Sequence, residues 1–234
     1  MPFVIAMDGP AGSGKSSVGA VLGERLGFFY FDTGILYRAV ALAALRAGVD
    51  LSDEAALGQT ARGLDVQVLP PPKDSELQAL VILAGLDVSR EIRSSQVDAV
   101  VSRVAASRAV RQGLIDVQRA QIRAPGTVMV GRDIGTVICP DANLKIYLDA
   151  SAEERAHRRV AQSGADTSRF QTVLANIKER DRVDSSRDVA PLALAADAVS
   201  IDTDDLTIPQ VVDRIVMLVE ERRVNREGSP SRNR

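Results

Sequence analysis

The stretch Phe3-Val4-Ile5-Ala6-Met7-Asp8, followed by Gly9-Pro10-Ala11-Gly12-Ser13-Gly14-Lys15-Ser16, decides how the rest of the chain is read. The apolar run ending in an aspartate predicts a buried strand. The next eight residues satisfy G-x-x-x-x-G-K-[ST] at every fixed position, and Val18, Val21, Leu22 and Leu26 behind them have helical spacing. Strand, glycine loop and helix together form the context in which this motif binds phosphate. Small glycines let backbone N–H groups curl around a β-phosphate, and the helix N-terminus adds partial positive charge. Lys15 reaches the β- and γ-phosphates as a point charge. The Ser16 hydroxyl can complete an octahedral Mg2+ shell otherwise made of water and phosphate oxygen. The stretch therefore predicts a nucleoside triphosphate site.

Outward from this loop, β-like and α-like segments alternate. Candidate strands are Phe3–Asp8, Phe28–Phe31, Val128–Val130, Leu144–Leu148 and Ala198–Ile201. Helical patterns include Val97, Val100, Val101 and Val104, and a closing Val211, Val212, Ile215, Leu218 and Val219. This alternation predicts an α/β fold with a parallel sheet covered by helices on both faces. Residues 64–92 interrupt the rhythm: Pro70-Pro71-Pro72 lies between two short β-like pieces, Leu64–Leu69 and Ala79–Leu83, which predicts a hairpin-like insert. From Asn225 to Arg234 there is no apolar residue, and a disordered tail is expected.

Three further clusters follow strands. Asp32-Thr33-Gly34 precedes Tyr37 and Arg38, and a helix starting near Gly34 would project those two from its first turn. Asp32 could hold waters of a Mg2+ shell or simply cap the helix. Gly131-Arg132-Asp133-Ile134-Gly135 reads as a site beyond a strand, or as a structural turn. The third cluster opens with Ser151-Ala152-Glu153-Glu154, a capping box. Arg155, Arg158 and Arg159 then share one helical face, and Arg180, Asp184 and Arg187 share another. Such spacing fits a salt-bridged solvent face. It fits equally a mobile helical lid that closes arginines onto phosphate.

Composition bounds the remaining choices. The 234 residues carry a net charge of −2 and only 3% aromatics, which argues against a nucleic-acid-dependent motor. No apolar run reaches the ~20 residues of a membrane helix, and no signal-peptide pattern opens the chain. One cysteine (Cys139) and one histidine (His157) exclude an internal disulfide framework, common zinc sites and His-based triads. The lone thiol fits a reducing cytosol. Of 29 cations only Lys15, Lys73, Lys145 and Lys178 are lysine. A coding preference would give the same bias, as would selection for guanidinium forks that grip phosphate in pairs.

Taken together, the segments IAMDGPAGSGKSS, FDTGILYRAVALAAL, LDVSREIRSSQVDAVVS, GRDIGTVICPDANLKIYLDASAEERAHRR and KERDRVDSSRDVAPL resemble the bacterial-type cytidylate kinases, over essentially residues 3–220. The resemblance implies a three-layer P-loop kinase fold spanning 1–224. A central parallel sheet of about five strands would carry a monophosphate-binding insert at about 64–92 and a lid at about 157–188. It implies ATP on Gly9, Pro10, Ala11, Gly12, Ser13, Gly14, Lys15, Ser16 and Ser17, with Arg158 beside them. It implies CMP or dCMP on Thr33, Tyr37, Arg38, Ser102, Arg111, Arg132, Asp133, Arg180, Asp184 and Arg187. Lys15, Arg132, Arg180 and Arg187 would be catalytic, with Mg2+ held by Ser16 directly and by Asp32 through water. Asp133, Arg111 and Ser102 would read the cytosine edge, and Arg38 the acceptor phosphate. The lid string Arg182-Val183-Asp184-Ser185-Ser186-Arg187 has fewer cations than some relatives carry. A cytoplasmic monomer acting on small molecules, without nucleic acid or membrane, is the expectation.

Two other classes compete on the residues alone. A small-molecule kinase for UMP, AMP or a hydroxyl acceptor such as shikimate would share the phosphate loop. A GTPase-like switch would need N-K-x-D after a strand, and Asn143-Leu144-Lys145-Ile146 has the wrong spacing.

Overall fold

The computed structural model describes residues 1–72, 75, 77–163, 167–187 and 189–227. In chain order the elements are β1 (Phe3–Asp8), α1 (Lys15–Leu26), β2 (Phe29–Asp32), α2 (Gly34–Arg46), α3 (Glu54–Arg62), β3 (Val66–Leu69), β4 (Leu80–Leu83) and β5 (Leu86–Asp87). There follow α4 (Ser95–Ala106), α5 (Arg108–Arg119), β6 (Gly126–Val130), β7 (Leu144–Asp149), α6 (Ala152–Ser163), α7 (Phe170–Ser185), β8 (Val199–Asp202) and α8 (Ile208–Glu227). The chain divides into two compact units, residues 1–30 with 123–234, and residues 31–122.

The first unit is built on a five-stranded sheet ordered β2-β6-β1-β7-β8. Strands β6, β1, β7 and β8 run parallel, with Ile5 opposite both Val128 and Leu144, and Ile146 opposite Val199. All six residues of β1 are buried, as expected where helices cover both faces of a parallel sheet. Val18 and Leu22 of α1 join Val128, Ile146 and Leu148 of the sheet and Val211, Val212, Ile215 and Val219 of α8 in one core. Each such side chain contributes about 1.5–3 kcal/mol by leaving water. The carboxyl ends of the parallel strands therefore carry the loops 9–14, 131–133 and 150–151.

The second unit holds α2 to α5 and an antiparallel sheet ordered β3-β4-β5. Val66 faces Leu83, and Ile82 faces Asp87. The expected hairpin is present with a short third strand added. That insert is only part of the unit, because α2 to α5 pack in it as well. The helices begin at side-chain caps the sequence supplies: Asp53 accepts from Ala56 N (2.9 Å), Ser94 from Val97 N (3.4 Å) and Ser107 from Val110 N (3.2 Å).

One boundary differs from the sequence reading: α8 continues through Glu227, so residues 225–227 of the expected tail are helical. Nothing before Gly228 interrupts the helix, and each added residue gains a backbone bond. Residues 228–234 lie outside the described residues. Helix α6 begins at Ala152, directly behind Ser151, where the capping-box pattern placed a helix start.

Candidate active site

The phosphate loop follows from glycine chemistry. Gly9 has φ +142°, and a Cβ there would stand 2.0 Å from the Leu148 carbonyl oxygen. Gly14, immediately before α1, has φ +92°. A side chain would strain both positions. The first turn of α1 holds no acidic residue and no side chain caps it, so its N–H groups and dipole favour an anion. Lys15 is buried, and its Nζ donates to Pro10 O (2.5 Å) and Ser13 Oγ (3.2 Å), which folds the ammonium over the loop. Ser16 is half-buried at the second residue of α1. Mg2+ in such sites keeps mostly water and phosphate oxygen, so one hydroxyl beside the loop fits it without a carboxylate cage. No cluster of three or more His, Cys, Asp or Glu able to hold a metal occurs among the described residues.

Arg158 lies beside the loop as expected. Its Nη1 donates to Thr203 Oγ1 (3.0 Å), its Nη2 to Thr203 O and its Nε to Glu154 (2.8 Å). Nη1 would lie 3.9 Å from a Cβ on Gly14. The arginine face of α6 splits, however. Arg155 is buried, Arg158 half-buried and Arg159 exposed. The capping box also forms only in part. Ser151 Oγ accepts from Glu154 N (3.1 Å), while Ser151 N donates to Asp204 (2.8 Å) and the Glu154 carboxylate turns to Arg158. A tertiary carboxylate and a nearby cation outcompete the reciprocal local bond.

Beyond β6, Asp184 gathers two of the predicted arginines. Arg132 Nε donates to Asp184 Oδ2 (3.1 Å) and Arg187 Nη2 to Asp184 Oδ1. The Asp184 and Arg187 side chains are nearly inaccessible and Arg132 is one-fifth exposed. Two guanidiniums on one carboxylate leave one positive charge in excess among these three side chains, and such forks can pair with phosphate oxygens. Arg187 lies past the end of α7, so it reaches Asp184 from the following segment rather than from a continued helical face. Arg180, one turn before Asp184, is exposed.

Asp133 is buried and precedes a π-helical turn, Ile134–Ile138. The Asp133 side chain does not cap that turn. Asp8, the last residue of β1, caps it instead: its oxygens accept from Ile134 N (2.8 Å) and Gly135 N (2.7 Å). Burial pushes the Asp8 carboxyl up to about 6. The Gly135 and Ile134 N–H groups oppose the rise, the neighbouring Asp133 adds to it, and Lys15 opposes it.

The second unit carries the other predicted residues. Asp32 Oδ1 accepts from Gly34 N (2.9 Å) in a local turn two residues long, while Thr33, the residue before α2, is buried next to it. Tyr37 and Arg38 occupy the first turns of α2 as the sequence predicted. Arg111 Cζ stands 5.3 Å above the Tyr37 ring, and Arg111 Nε donates to Ala105 O (2.8 Å). Arg38 Nη1 donates to Ile92 O (2.9 Å) and pairs with Asp98 (2.7 Å). Ser102 is exposed on α4, one turn after Asp98 and therefore on its face.

Comparison with known proteins decides the family. A family model described as cytidylate kinase matches residues 5–221. A cytidylate kinase of Mycolicibacterium paratuberculosis is 48% identical over 94% of this chain and 96% of its own length. One of Pelotomaculum thermopropionicum is 49% identical over 92% and 95%, and one of Geobacter sp. 43% over 94% and 93%. The chain belongs to the cytidylate kinase family.

Within this cytidylate kinase family member, sequence reasoning missed Asp8, Asp98, Arg155 and Asp181. Asp8 was read only as the end of a strand, and its partners lie 126 and 127 positions away. No local pattern announces such a bond. Arg155 had a signal, since it is the innermost of three arginines at i, i+3, i+4, but spacing alone did not separate it from Arg158 and Arg159. No helix among the described residues is long and apolar enough to cross a membrane.

Proposed function

We propose that this chain transfers the γ-phosphoryl group of ATP to CMP, and to dCMP, giving ADP and CDP or dCDP. The observation that carries this reading is the span of the family match: Ile5 to Glu221 takes in the phosphate loop and every residue assigned to the acceptor. ATP is assigned to Gly9–Ser17 with Arg158. CMP is assigned to Thr33, Tyr37, Arg38, Ser102 and Arg111 of the second unit, and to Arg132, Asp133, Arg180, Asp184 and Arg187 of the first. The helical pair α6–α7 serves as the lid.

The acceptor phosphate is anionic at neutral pH, so the reaction needs no general base. Its chemistry is positioning and charge neutralisation. Lys15 supplies positive charge to the β- and γ-phosphates, and Arg132, Arg180 and Arg187 supply it around the transferring group. Asp184 holds two of these forks in register. Mg2+, with Ser16 as its protein ligand and Asp32 acting through water, supplies charge neutralisation on the triphosphate when bound. Asp133 accepts from the exocyclic amine of cytosine, and Arg111 with Ser102 donates to O2 and N3. Uracil places a carbonyl opposite Asp133, a mismatch of acceptor against acceptor worth about 1–3 kcal/mol.

The test is kcat/KM with ATP and Mg2+ across CMP, dCMP, UMP, AMP and GMP. CMP or dCMP should lead. A lead for any of the other three would replace the acceptor assignment while keeping the phosphate loop.

A further inference from the structure

We propose that Arg155 is a positioning residue for phosphoryl transfer, latching helix α7 of the lid to the phosphate loop in the arrangement the structure shows. The proposal rests on the roles given above to that loop and to the arginines of α7. The Arg155 fork reaches three parts of the chain at once. Nε donates to Ala150 O at the end of β7 (3.0 Å), and Nη1 donates to Ala11 O within the phosphate loop (3.1 Å). Nη1 and Nη2 also hold the Asp181 carboxylate of α7 in a two-pronged grip, at 2.9 and 2.6 Å. The Arg155 side chain is 5% exposed and that of Asp181 26%. Its stem lies flat against the loop: a Cβ on Gly12 would be 3.2 Å from Arg155 Cβ.

The consequence follows from helix geometry. Asp181 lies one residue after Arg180 and three before Asp184, so pinning it fixes both the height and the rotation of α7. The same helix presents Asp184, on which Arg132 and Arg187 converge. The path from Ala11 through Arg155 and Asp181 therefore sets the distance between the triphosphate cradle and the arginines that meet the transferring group. A planar fork with five donors can serve these acceptors together, whereas a lysine ammonium cannot match the two-pronged grip on the carboxylate.

The experiment compares the full chain with Asp181→Ala and Arg155→Lys, by steady-state kinetics, calorimetric ATP binding and hydrogen exchange of α7 amides with ATP bound. Asp181→Ala leaves Arg155 on Ala11, so ATP affinity should change by less than about twofold while kcat falls about 10- to 100-fold. Exchange within α7 should rise. Arg155→Lys loses the loop contact as well, so kcat falls and ATP binds several-fold more weakly. The double variant should lose no more kcat than Arg155→Lys alone, as expected for residues that act as one unit.

Wild-type kcat in Asp181→Ala would overturn the proposal. So would ATP affinity weakened in Asp181→Ala as much as in Arg155→Lys, or α7 exchange left unchanged. Should Arg155→Lys not fold, Asp181→Ala decides alone, because its site is partly exposed. If the wild-type chain prefers another acceptor, the proposed function fails; the variant ratios on that acceptor, and the binding and exchange data, still test Arg155.

Discussion

On the proposed function, Lys15 is the side chain whose loss should cost the chemistry most, since its ammonium is buried over the loop on Pro10 O and Ser13 Oγ. Lys15→Ala should lower kcat by at least about 100-fold, the scale set by removing one preorganised charge donor, while KM for CMP changes little. Steady-state kinetics with both substrates varied would show it; near-normal turnover would contradict it. Asp133→Ala should narrow the preference for CMP over UMP by about 10- to 100-fold in kcat/KM, because the unmatched acceptor pair is removed. An unchanged ratio would take Asp133 out of base recognition.

Asp8 gives a pH signature. Its folded value of about 6 lies above the ordinary 3.8, so the native state holds that proton more tightly than the unfolded chain. Stability from this group is complete below pH 4 and is lost as pH rises through 6. Between pH 5 and 7 the loss amounts to about 1 kcal/mol. Urea unfolding should find that slope in the wild type and find it missing in Asp8→Asn. Parallel pH curves for the two proteins would rule it out. None of this was legible in the sequence, where Asp8 has no neighbour that announces Ile134 or Gly135.

Among the elements, those buried on both faces were the most legible. β1 and β7 read as apolar runs because helices cover them on both sides, and the observed strands match to within a residue at β1 and β7. The phosphate loop was legible for a related reason: its residue types are imposed by backbone geometry at Gly9 and Gly14. The arginine helices were legible only in part. Spacing put Arg155, Arg158 and Arg159 together, but the turn of α6 against the loop buries the first and exposes the last. Side-chain caps open α3, α4 and α5 at Asp53, Ser94 and Ser107, none of which the sequence reading singled out. Ser107 caps α5 and its hydroxyl donates to Glu54 of α3 (2.7 Å), so one hydroxyl joins two helices. Ser107→Ala should destabilise the chain by about 1–2 kcal/mol in urea unfolding. A loss below the error of that measurement would show that Glu54 rebonds elsewhere.

For the molecule as a whole, buried and half-buried arginines occur in both units. Arg132, Arg155, Arg158 and Arg187 all lie in the first unit: Arg155 donates to the phosphate loop, Arg132 and Arg187 to Asp184, and Arg158 to Thr203 and Glu154. Arg38 and Arg111 serve the second unit, one on Asp98 and the other over Tyr37. On the proposed function, Lys15, Arg132, Arg180 and Arg187 move a phosphoryl group between two nucleotides without a general base. Phosphorus NMR of the purified chain with ATP, Mg2+ and CMP should show CDP and ADP resonances growing in equal amounts; ATP consumed to ADP and inorganic phosphate, or not at all, with CMP unchanged, would overturn that reading.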